Sequence, residues 1–322
     1  MAILVVGGSG YIGSHAVRAL RHHGFEPIVY DNLSTGYEVL ARGAEFIVGD
    51  MDDRTKLLTV LPRVDAIMHF AAHAYVGESV QNPEKYFRNN VQAALTLLNA
   101  AKDCGIRNFV FSSTCAVYGT PTSVPIKEST PRQPINPYGS SKLFFENALQ
   151  AYDPAYGIRY ANLRYFNAAG ADESGEIGEM HVPETHLIPL ILGAAAGTAP
   201  PLQIYGDDYP TPDGTCIRDY IHVNDLAEAH VLALKYLQDE KKSLAANLGT
   251  GRGFSVLEVI GAVERVTGLK VPHQVTARRA GDPPALVADA SRAETLLQWK
   301  AKRSLDEIVS TAWNWMRRSS GK

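Results

Sequence analysis

Short apolar runs alternate with longer segments of helical periodicity along the first half of the chain. The runs predict buried strands at residues 2–6, 27–30, 45–48, 66–70, 108–112 and 160–164. The segments between them predict helices at residues 12–23, 54–61, 86–104 and 138–152. Strands that alternate with helices are typical of a parallel sheet covered on both faces. The pattern therefore predicts an α/β fold built on a doubly wound parallel sheet.

The alternation stops after Asn167. Glycine, proline and charged residues cluster at 169–184 and 206–214, which indicates substrate loops or segments that cross between domains. Further elements are predicted as strands at 217–223 and 271–276 and as helices at 224–237, 255–267 and 305–317. We expect a first domain at residues 1–167, re-entered near 217–248, and a smaller C-terminal α/β domain formed mainly by residues 168–322.

The composition excludes several classes of partner. The 322 residues are 45% hydrophobic, and their formal net charge of -3 gives no general attraction to nucleic acid or anionic membranes. Three scattered cysteines provide neither a disulfide framework nor a metal-binding spacing. Without a signal-peptide pattern or a membrane-spanning apolar run, a cytoplasmic location is expected.

The first predicted strand runs into a glycine turn with Gly7, Gly10 and Gly13 at the start of a helix. Glycines at this spacing allow a tight turn, let backbone N–H groups reach a pyrophosphate and let helix and strand pack closely. Asp31 ends the second strand about twenty residues later, where an acid accepts a hydrogen bond from the ribose 2′-hydroxyl. Because the acid would repel a 2′-phosphate, we predict a Rossmann-like domain that binds NAD rather than NADP.

Two other strand ends supply candidate cofactor contacts. Asp50 and Met51 follow the third strand, and Phe70, Ala71 and Ala72 follow the fourth. Ligands of doubly wound sheets bind at the carboxyl ends of the strands. Asp50 could accept from the adenine amino group, and the two alanines would let the cofactor approach the backbone. Taken singly, each of these residues is better explained as part of a plain loop.

Tyr138 and Lys142 lie one helical turn apart, directly after Asn136-Pro137, and so share one helix face. Such spacing is also that of an ordinary solvated surface pair. Thr114, at the end of the fifth strand, adds a hydroxyl that can relay a proton or hold a substrate hydroxyl. We therefore predict a catalytic group in which Lys142 and the positive nicotinamide lower the pKa of the Tyr138 phenol.

Together these motifs resemble the extended short-chain dehydrogenase/reductase superfamily, and a finer resemblance is to the UDP-glucose 4-epimerase family. The finer resemblance spans nearly the whole chain and is carried by the stretches VGESV (76–80), NNV (89–91), YFNAAG (165–170), IYGDDYPT (204–211), DGT (213–215), RDYIHV (218–223) and RAGD (279–282). The superfamily motifs are general, whereas the later stretches are specific for nucleotide-sugar epimerases.

The resemblance implies an isomerase that uses tightly bound NAD to interconvert UDP-galactose and UDP-glucose through a 4-keto sugar. Tyr138 is then the base, Thr114 bonds the sugar O4, and Lys142 holds the nicotinamide ribose. Implied cofactor residues, besides these and the three glycines, are Tyr11, Ile12, Asp31, Asn32, Asp50, Met51, Phe70, Ala71, Ala72, Asn89 and Phe166. Implied UDP-sugar residues are Asn167, Leu187, Tyr205, Arg218, Arg279 and Asp282. The family also implies a homodimer paired through helices at 92–104 and 143–152.

Three positions depart from the family pattern. Ala74 stands where some members carry a phosphate-binding lysine, and His186 replaces a common asparagine at the UDP-binding turn. Leu286 occupies the place of a tyrosine that excludes N-acetyl sugars in some members and of a small residue in others, so we expect mainly plain UDP-hexoses. His181 and His186 could suggest a metal pair, but we interpret them as loop histidines near an anionic ligand and predict no metal.

Other functions stay open at this point. A nucleotide-sugar 4,6-dehydratase commonly has an Asp-Glu pair after the strand-end threonine, where this chain has Cys115 and Ala116. A UDP-arabinose/UDP-xylose or UDP-N-acetylglucosamine 4-epimerase could use the same groups. An NAD-binding sensor without turnover would need only the glycine turn, so Thr114, Tyr138 and Lys142 together argue against it.

Overall fold

The structure is a computed structural model that describes residues 1–279 and 281–319. Ala280, within the RAGD stretch, and residues 320–322, at the end of the second predicted domain, lie outside the described residues. The strands are β1 Ala2–Val6, β2 Glu26–Asp31, β3 Glu45–Val48, β4 Ala66–His69, β5 Asn108–Thr114, β6 Arg159–Tyr165, β7 Asn167–Ala169, β8 Leu202–Tyr205, β9 Ile217–Arg218, β10 Tyr220–His222, β11 Leu244–Leu248, β12 Phe254–Ser255, β13 His273–Thr276 and β14 Ala285–Leu286.

Helices separate most of these strands. They are α1 Tyr11–His22, α2 Arg54–Val60, α3 Val76–Gln81, α4 Pro83–Phe87, α5 Ala94–Asp103, α6 Pro137–Tyr156, α7 Leu187–Ala195, α8 Val223–Asp239, α9 Val256–Thr267, α10 Ser291–Leu297 and α11 Leu305–Ser319. A π-helical turn, Arg88–Ala93, joins α4 to α5, so the single helix predicted at 86–104 is interrupted. No helix in the described part of the chain is long and apolar enough to cross a membrane.

The main sheet has seven strands in the order β3-β2-β1-β4-β5-β6-β11, and every neighbouring pair is parallel. Apolar side chains of α1, α8 and α10 pack on one face, and those of α2, α5 and α6 pack on the other. The inner strands β1 and β4 are buried on both faces, which explains their nearly unbroken apolar sequences. The predicted Rossmann-like doubly wound α/β fold is confirmed.

A smaller unit surrounds a second core formed by α7, α9 and α11 with short strands. β7 pairs with β10 and β8 with β13, while β9 lies between β12 and β14. The helix α9 begins with a capping box, in which the Ser255 hydroxyl and the Glu258 carboxylate each accept a backbone N–H of the other residue.

Two features of the second half differ from the sequence-based expectation. The strand predicted at 217–223 is wrong as a single element, because β9 and β10 belong to separate small sheets. The seventh strand of the main sheet is β11, which the apolar pattern did not assign. Its run Leu244–Leu248 contains Asn247, whose side chain is buried and hydrogen-bonded to Tyr118. The hydrogen bonds of this buried polar residue form only in the folded chain, so a pattern of hydrophobic positions does not identify the strand.

Candidate active site

The glycine turn lies where β1 and β4 meet, at the point where the strand order of the main sheet reverses. A Cβ atom on Gly7 would lie 2.4 Å from the backbone nitrogen of Ala71, and one on Gly13 would lie 2.1 Å from the carbonyl oxygen of Gly7. Both positions therefore require glycine for close backbone approach. Ligands of doubly wound sheets bind in the crevice at this switch point.

The first turn of α1 can present backbone N–H groups to an anion. Its N-cap residue is Gly10, which has no side chain to bond these groups. The buried hydroxyl of Ser9, within the same turn, has no hydrogen-bond partner among the described residues. The helix dipole adds to the attraction for a negative group. The turn is thus suited to a pyrophosphate.

Asp31 lies at the carboxyl end of β2 beside the glycine turn. One oxygen of its buried carboxylate accepts the backbone N–H of Ser9 at 3.0 Å, and the other accepts that of Leu33 at 2.9 Å. Each carboxylate oxygen keeps a second lone pair, which a ribose hydroxyl can use. The Asn32 amide donates to the Asp50 carboxylate at 2.6 Å and so connects the ends of β2 and β3.

The other predicted cofactor residues are distributed around the same edge. The backbone N–H groups of Phe70 and Ala71 both donate to the carbonyl of Val6, at 2.8 and 3.1 Å, so the chain after β4 turns beside the glycine turn. Ala72 follows in the same segment, Ile12 lies on α1, Met51 follows β3, Asn89 lies in the π-helical turn and Phe166 follows β6.

Tyr11 connects the glycine turn to the second half of the chain. Its hydroxyl donates to the carbonyl oxygen of Gly170 at 2.7 Å, and its ring is buried. Burial raises the pKa of this phenol, and the carboxylates of Glu179 and Glu184 raise it further. The hydroxyl is therefore a permanent donor that holds the loop after β7 against α1.

Tyr138 and Thr114 meet where β5 ends and α6 begins. The Asn136 side chain caps α6 by accepting the N–H of Gly139, which positions Tyr138 in the first turn. Burial raises the pKa of the Tyr138 phenol, and the neighbouring Thr114 hydroxyl opposes this shift only in part. In the protein chain by itself, desolvation of the phenolate exceeds the local stabilisation, and the lowering of this pKa by Lys142 together with a bound nicotinamide stays a prediction.

Lys142 lies one turn further along α6 and is buried. Its ammonium donates to the carbonyl oxygen of Ser112 at 2.8 Å and lies 4.8 Å from the centroid of the Phe111 ring. Burial lowers its pKa to about 7, and the nearby Glu146 carboxylate opposes this shift. Lys142 is therefore held against the end of β5 rather than exposed on a solvated helix face.

Two contacts bring the predicted substrate residues together. Arg218, in β9, forms an ion pair with Asp282. The guanidinium of Arg279 stacks over the ring of Tyr205, 3.8 Å from its centroid. Both arginines thus come from different segments to the same side of the smaller unit, where their planar donors match phosphate oxygens.

Asn167 and Leu187 begin two further elements of this side. The backbone N–H of Asn167 donates to the carbonyl of Asp219 at 3.0 Å, next to Arg218 in the chain. Leu187 is the first residue of α7, and His186 is its N-cap residue without a side-chain capping bond. The start of α7 therefore also has backbone N–H groups available to an anion.

Comparison with known proteins decides the family. Residues 3–249, more than half of the chain, match the NAD dependent epimerase/dehydratase family. The chain belongs to this family.

Relatives within the epimerase family resemble the whole chain. The UDP-glucose 4-epimerase of Lacticaseibacillus casei is 51% identical over 319 residues, covering 98% of this chain and 96% of the relative. The crystal structure of UDP-glucose 4-epimerase from Brucella ovis in complex with NAD has a TM-score of 0.95 at 52% identity and covers 97% of both chains. The UDP-glucose-4-epimerase of Stenotrophomonas maltophila, with bound NAD and formylated UDP-arabinopyranose, has a TM-score of 0.97 at 42% identity, covering 100% of this chain and 99% of that chain. The resemblance stated from the motifs is confirmed.

Sequence reasoning missed a buried charge network behind the epimerase-family motif of Tyr138 and Lys142. Glu146 is fully buried, and its carboxylate accepts two bonds from Arg164 at 2.7 and 2.8 Å. It also accepts from the Ser113 hydroxyl at 2.6 Å and from Arg132 at 3.2 Å. The signal was present in the sequence, because Glu146 continues the four-residue spacing of Tyr138 and Lys142 along one face of α6.

Asn90 is a second residue near the site to which the sequence analysis assigned no role. Its amide oxygen accepts the backbone N–H of His73, and its amide nitrogen donates to the His73 carbonyl, both at 2.9 Å. The same nitrogen lies 3.1 Å from the Ser141 hydroxyl on α6. Asn90 therefore holds the loop after β4 at a set distance from the helix that carries Tyr138.

We expect Glu146→Gln to lower the free energy of unfolding by about 3–5 kcal/mol, because the buried guanidinium of Arg164 then lacks a carboxylate to balance its charge. The measurement is urea denaturation followed by circular dichroism. Glu294→Gln, at an exposed position on α10, is the matched control and should change the free energy by less than about 0.5 kcal/mol. Equal effects of the two substitutions would contradict the importance given to the network.

Proposed function

We propose that this protein is an NAD-dependent UDP-glucose 4-epimerase that interconverts UDP-galactose and UDP-glucose. The observation that carries the proposal is the placement of Tyr138, in the first turn of α6, and of Thr114, at the end of β5, at the edge of the sheet where the glycine turn also lies. Full-length identity of about half to curated UDP-glucose 4-epimerases supports the same reaction. The protein is accordingly an isomerase without net redox change.

The residues at the switch point fit NAD. The uncapped start of α1 would hold the pyrophosphate, the glycine turn would let it approach the backbone, and Asp31 would accept from a ribose hydroxyl. Asp50 and Asn32 would border the adenosine side, and Phe166 and Lys142 the nicotinamide side. When bound, NAD supplies the hydride acceptor and donor for the sugar C4, and its positive ring adds a cation near the reacting hydroxyl.

Tyr138 is the group that moves the proton of the sugar 4-hydroxyl. Since burial alone raises its pKa, its phenolate depends on hydrogen bonds and positive charge around it. Thr114 would donate one such bond and would also contact O4. Lys142, held on the Ser112 carbonyl, contributes its charge from the same helix face. Return of the proton to O4 after the 4-keto sugar has turned restores Tyr138.

Arg218 and Arg279 would bind the diphosphate of the UDP-sugar. Arg218 is already paired with Asp282, which fixes its guanidinium and leaves other N–H donors for phosphate. Tyr205 stacks on Arg279 and restricts it in the same way. Asn167 and the backbone at Leu187 would add neutral donors. A diphosphate held by these arginines would be a suitable hinge for rotation of the 4-keto sugar.

The residues after Thr114 argue against a 4,6-dehydratase. Elimination of water needs an additional acid and base at that place. Burial raises the pKa of the Cys115 thiol to about 12, so it does not exchange protons readily at neutral pH. Ala116 has no titratable group, and its backbone N–H donates to the Thr114 hydroxyl at 3.1 Å.

We also propose that two chains pair through α5 and α6. Phe144, on the outer face of α6, is 49% exposed, and the small residues Ala148 and Ala151 lie one and two turns further along that face. The Tyr152 hydroxyl donates to Asn99 at 2.8 Å and holds α5 beside α6, so the two helices offer one joint surface. An apolar face with small residues suits close helix packing against a second copy.

The first test is a product assay on purified protein without added nicotinamide, offering UDP-galactose, UDP-N-acetylgalactosamine and UDP-arabinose separately. We expect UDP-galactose to be converted to its 4-epimer fastest. Tyr138→Phe should retain bound NAD and lose activity by a factor on the order of 10²–10⁴, because only the proton-transfer group is removed. A nearly active Tyr138→Phe enzyme would refute the role of this phenol.

Leu286 is proposed to limit the size of the sugar. It lies in β14 opposite Arg218 and packs with Cys115 and Phe166. Leu286→Tyr should keep turnover of UDP-galactose and lower any turnover of UDP-N-acetylgalactosamine, because the larger ring fills the space of the N-acetyl group. Leu286→Met conserves volume and should change neither rate much. Equal loss on both sugars in the tyrosine variant would argue against this gate.

The dimer is tested by sedimentation velocity. Phe144→Glu should shift the protein to monomers, because the interface would have to bury an unpaired carboxylate. Val275→Glu, at a 51% exposed position on β13, is the control and should leave the sedimentation coefficient unchanged. A Phe144→Glu protein that still sediments as a dimer would place the interface elsewhere.

A further inference from the structure

Four titratable side chains of the loop between β7 and α7 converge outside the catalytic group. They are Glu179, His181, Glu184 and His186, here named the His–Glu cluster, and one ligand atom from each lies within 4.8 Å of all the others. The two imidazole rings, with centroids 5.0 Å apart, are brought together by the fold of the loop. The cluster thus contains two nitrogen and two carboxylate donors.

The same nitrogen of both rings faces both carboxylates. Nδ1 of His186 lies 2.7 Å from Glu179 and 2.9 Å from Glu184, while Nδ1 of His181 lies 3.0 and 3.8 Å from them. A single N–H can point well at only one acceptor. Each ring can therefore form a good hydrogen bond with only one of the two carboxylates that its Nδ1 atom faces, so hydrogen bonding alone does not explain why all four groups converge. Donors at about 2.0–2.2 Å from a tetrahedral ion would be roughly 3.4 Å apart. The observed separations lie on both sides of that value.

The two carboxylates of the His–Glu cluster also need two positive charges to balance them. The side chain of Glu179 is only 6% exposed, and a buried carboxylate requires a cation or strong donors. Within residues 1–279 and 281–319, the ion pairs of Glu179 and Glu184 are with the two histidines and with no lysine or arginine. Two imidazolium ions or one divalent cation with neutral rings would balance the charge equally.

Two side chains outside the cluster, and one within it, anchor the loop backbone. Trp315 on α11 donates its indole N–H to the Glu179 carbonyl at 2.9 Å, and the Tyr75 hydroxyl donates to the Pro183 carbonyl at 3.1 Å. The Glu184 carboxylate accepts the backbone N–H groups of Thr185 and His186 at 2.7 and 2.8 Å. A carboxylate oriented by such bonds is typical of the outer support of a metal site.

We propose that the His–Glu cluster is a binding site for a divalent transition-metal ion, with Zn²⁺ as the best match. Two imidazole nitrogens and two carboxylate oxygens, all within 4.8 Å of one another, suit this ion. The sequence-based prediction was that these are loop histidines near an anionic ligand and that they hold no metal. The fold supplies Glu179 and Glu184 as the missing half.

An ion at this place would have a structural effect on the loop. The Tyr11 ring packs edge-on to His181, with centroids 6.2 Å apart, and His186 precedes Leu187 at the start of α7. The site would therefore tie the beginning of α7 to the glycine-turn side of the main sheet. This inference does not depend on which sugar the protein uses.

The test is titration of untagged, EDTA-treated protein with its bound nucleotide, using ZnCl₂ in a calorimeter. We expect one saturable Zn²⁺ per chain. His181→Gln and Glu184→Gln should each weaken binding at least about 100-fold, since each removes a direct ligand. Glu184→Gln retains the oxygen that accepts the backbone N–H groups, so its loop remains supported. His273→Gln, at an exposed position on β13, is the matched control and should bind as the parent protein does.

Crystals soaked in ZnCl₂ should show an anomalous peak between the four side chains. Absence of saturable binding by the parent protein, or undiminished binding by His181→Gln and Glu184→Gln, would overturn the proposal. Zinc held by nucleotide phosphates would persist in both variants and count against the site. A diffraction map without an anomalous peak at the cluster would identify the four residues as an ion-pair cluster.

Discussion

Seven strands of the main sheet run in the same direction, so their carboxyl ends all lie along one edge, and every group assigned to the cofactor and to proton transfer depends on this constraint. Gly7, Asp31 and Thr114 are far apart in sequence, yet each follows or ends a strand of this edge. Helices on both faces prevent ligands from binding to the sheet itself. The crevice at the reversal between β1 and β4 is consequently the place where a dinucleotide can contact several strands at once.

Buried charge gives this edge its chemical character. Glu146 is held by Arg164 and faces the same region as Lys142, whose pKa it supports against the effect of burial. Tyr138 has no comparable partner among these groups and is a weak acid in the protein by itself. The arrangement separates two tasks: the ion pair keeps α6 and β5 in place, while the proton-transfer group responds to the charge brought by its ligands. Hydrogen bonds in such a desolvated place are strong when complete and costly when broken.

The smaller unit differs from the main sheet in how it is held. Its strands are short, and its loops are fixed by specific side-chain bonds rather than by a large sheet. Asp219 illustrates this, since its carboxylate accepts the backbone N–H groups of Thr250, Gly251 and Ala288 beside Arg218. Tyr11, through its bond to the Gly170 carbonyl, connects these loops to the glycine turn.

Local patterns in the sequence were enough to predict six of the seven strands of the main sheet and the glycine turn. They also marked Asp31 as a cofactor candidate and Thr114, Tyr138 and Lys142 as a catalytic group, because these predictions depend on local periodicity and on spacings within one strand or helix. Resemblance extended this to Arg218, Arg279 and their partners. The tertiary structure was needed to show that β9 and β10 separate, that β11 completes the sheet, and that burial raises the pKa of Tyr138 in the protein chain by itself. It also decided that Glu146 meets Arg164 and that Glu179 and Glu184 join the two histidines. Desolvation and contacts between distant segments exist only once the chain has packed, so no local pattern contains them.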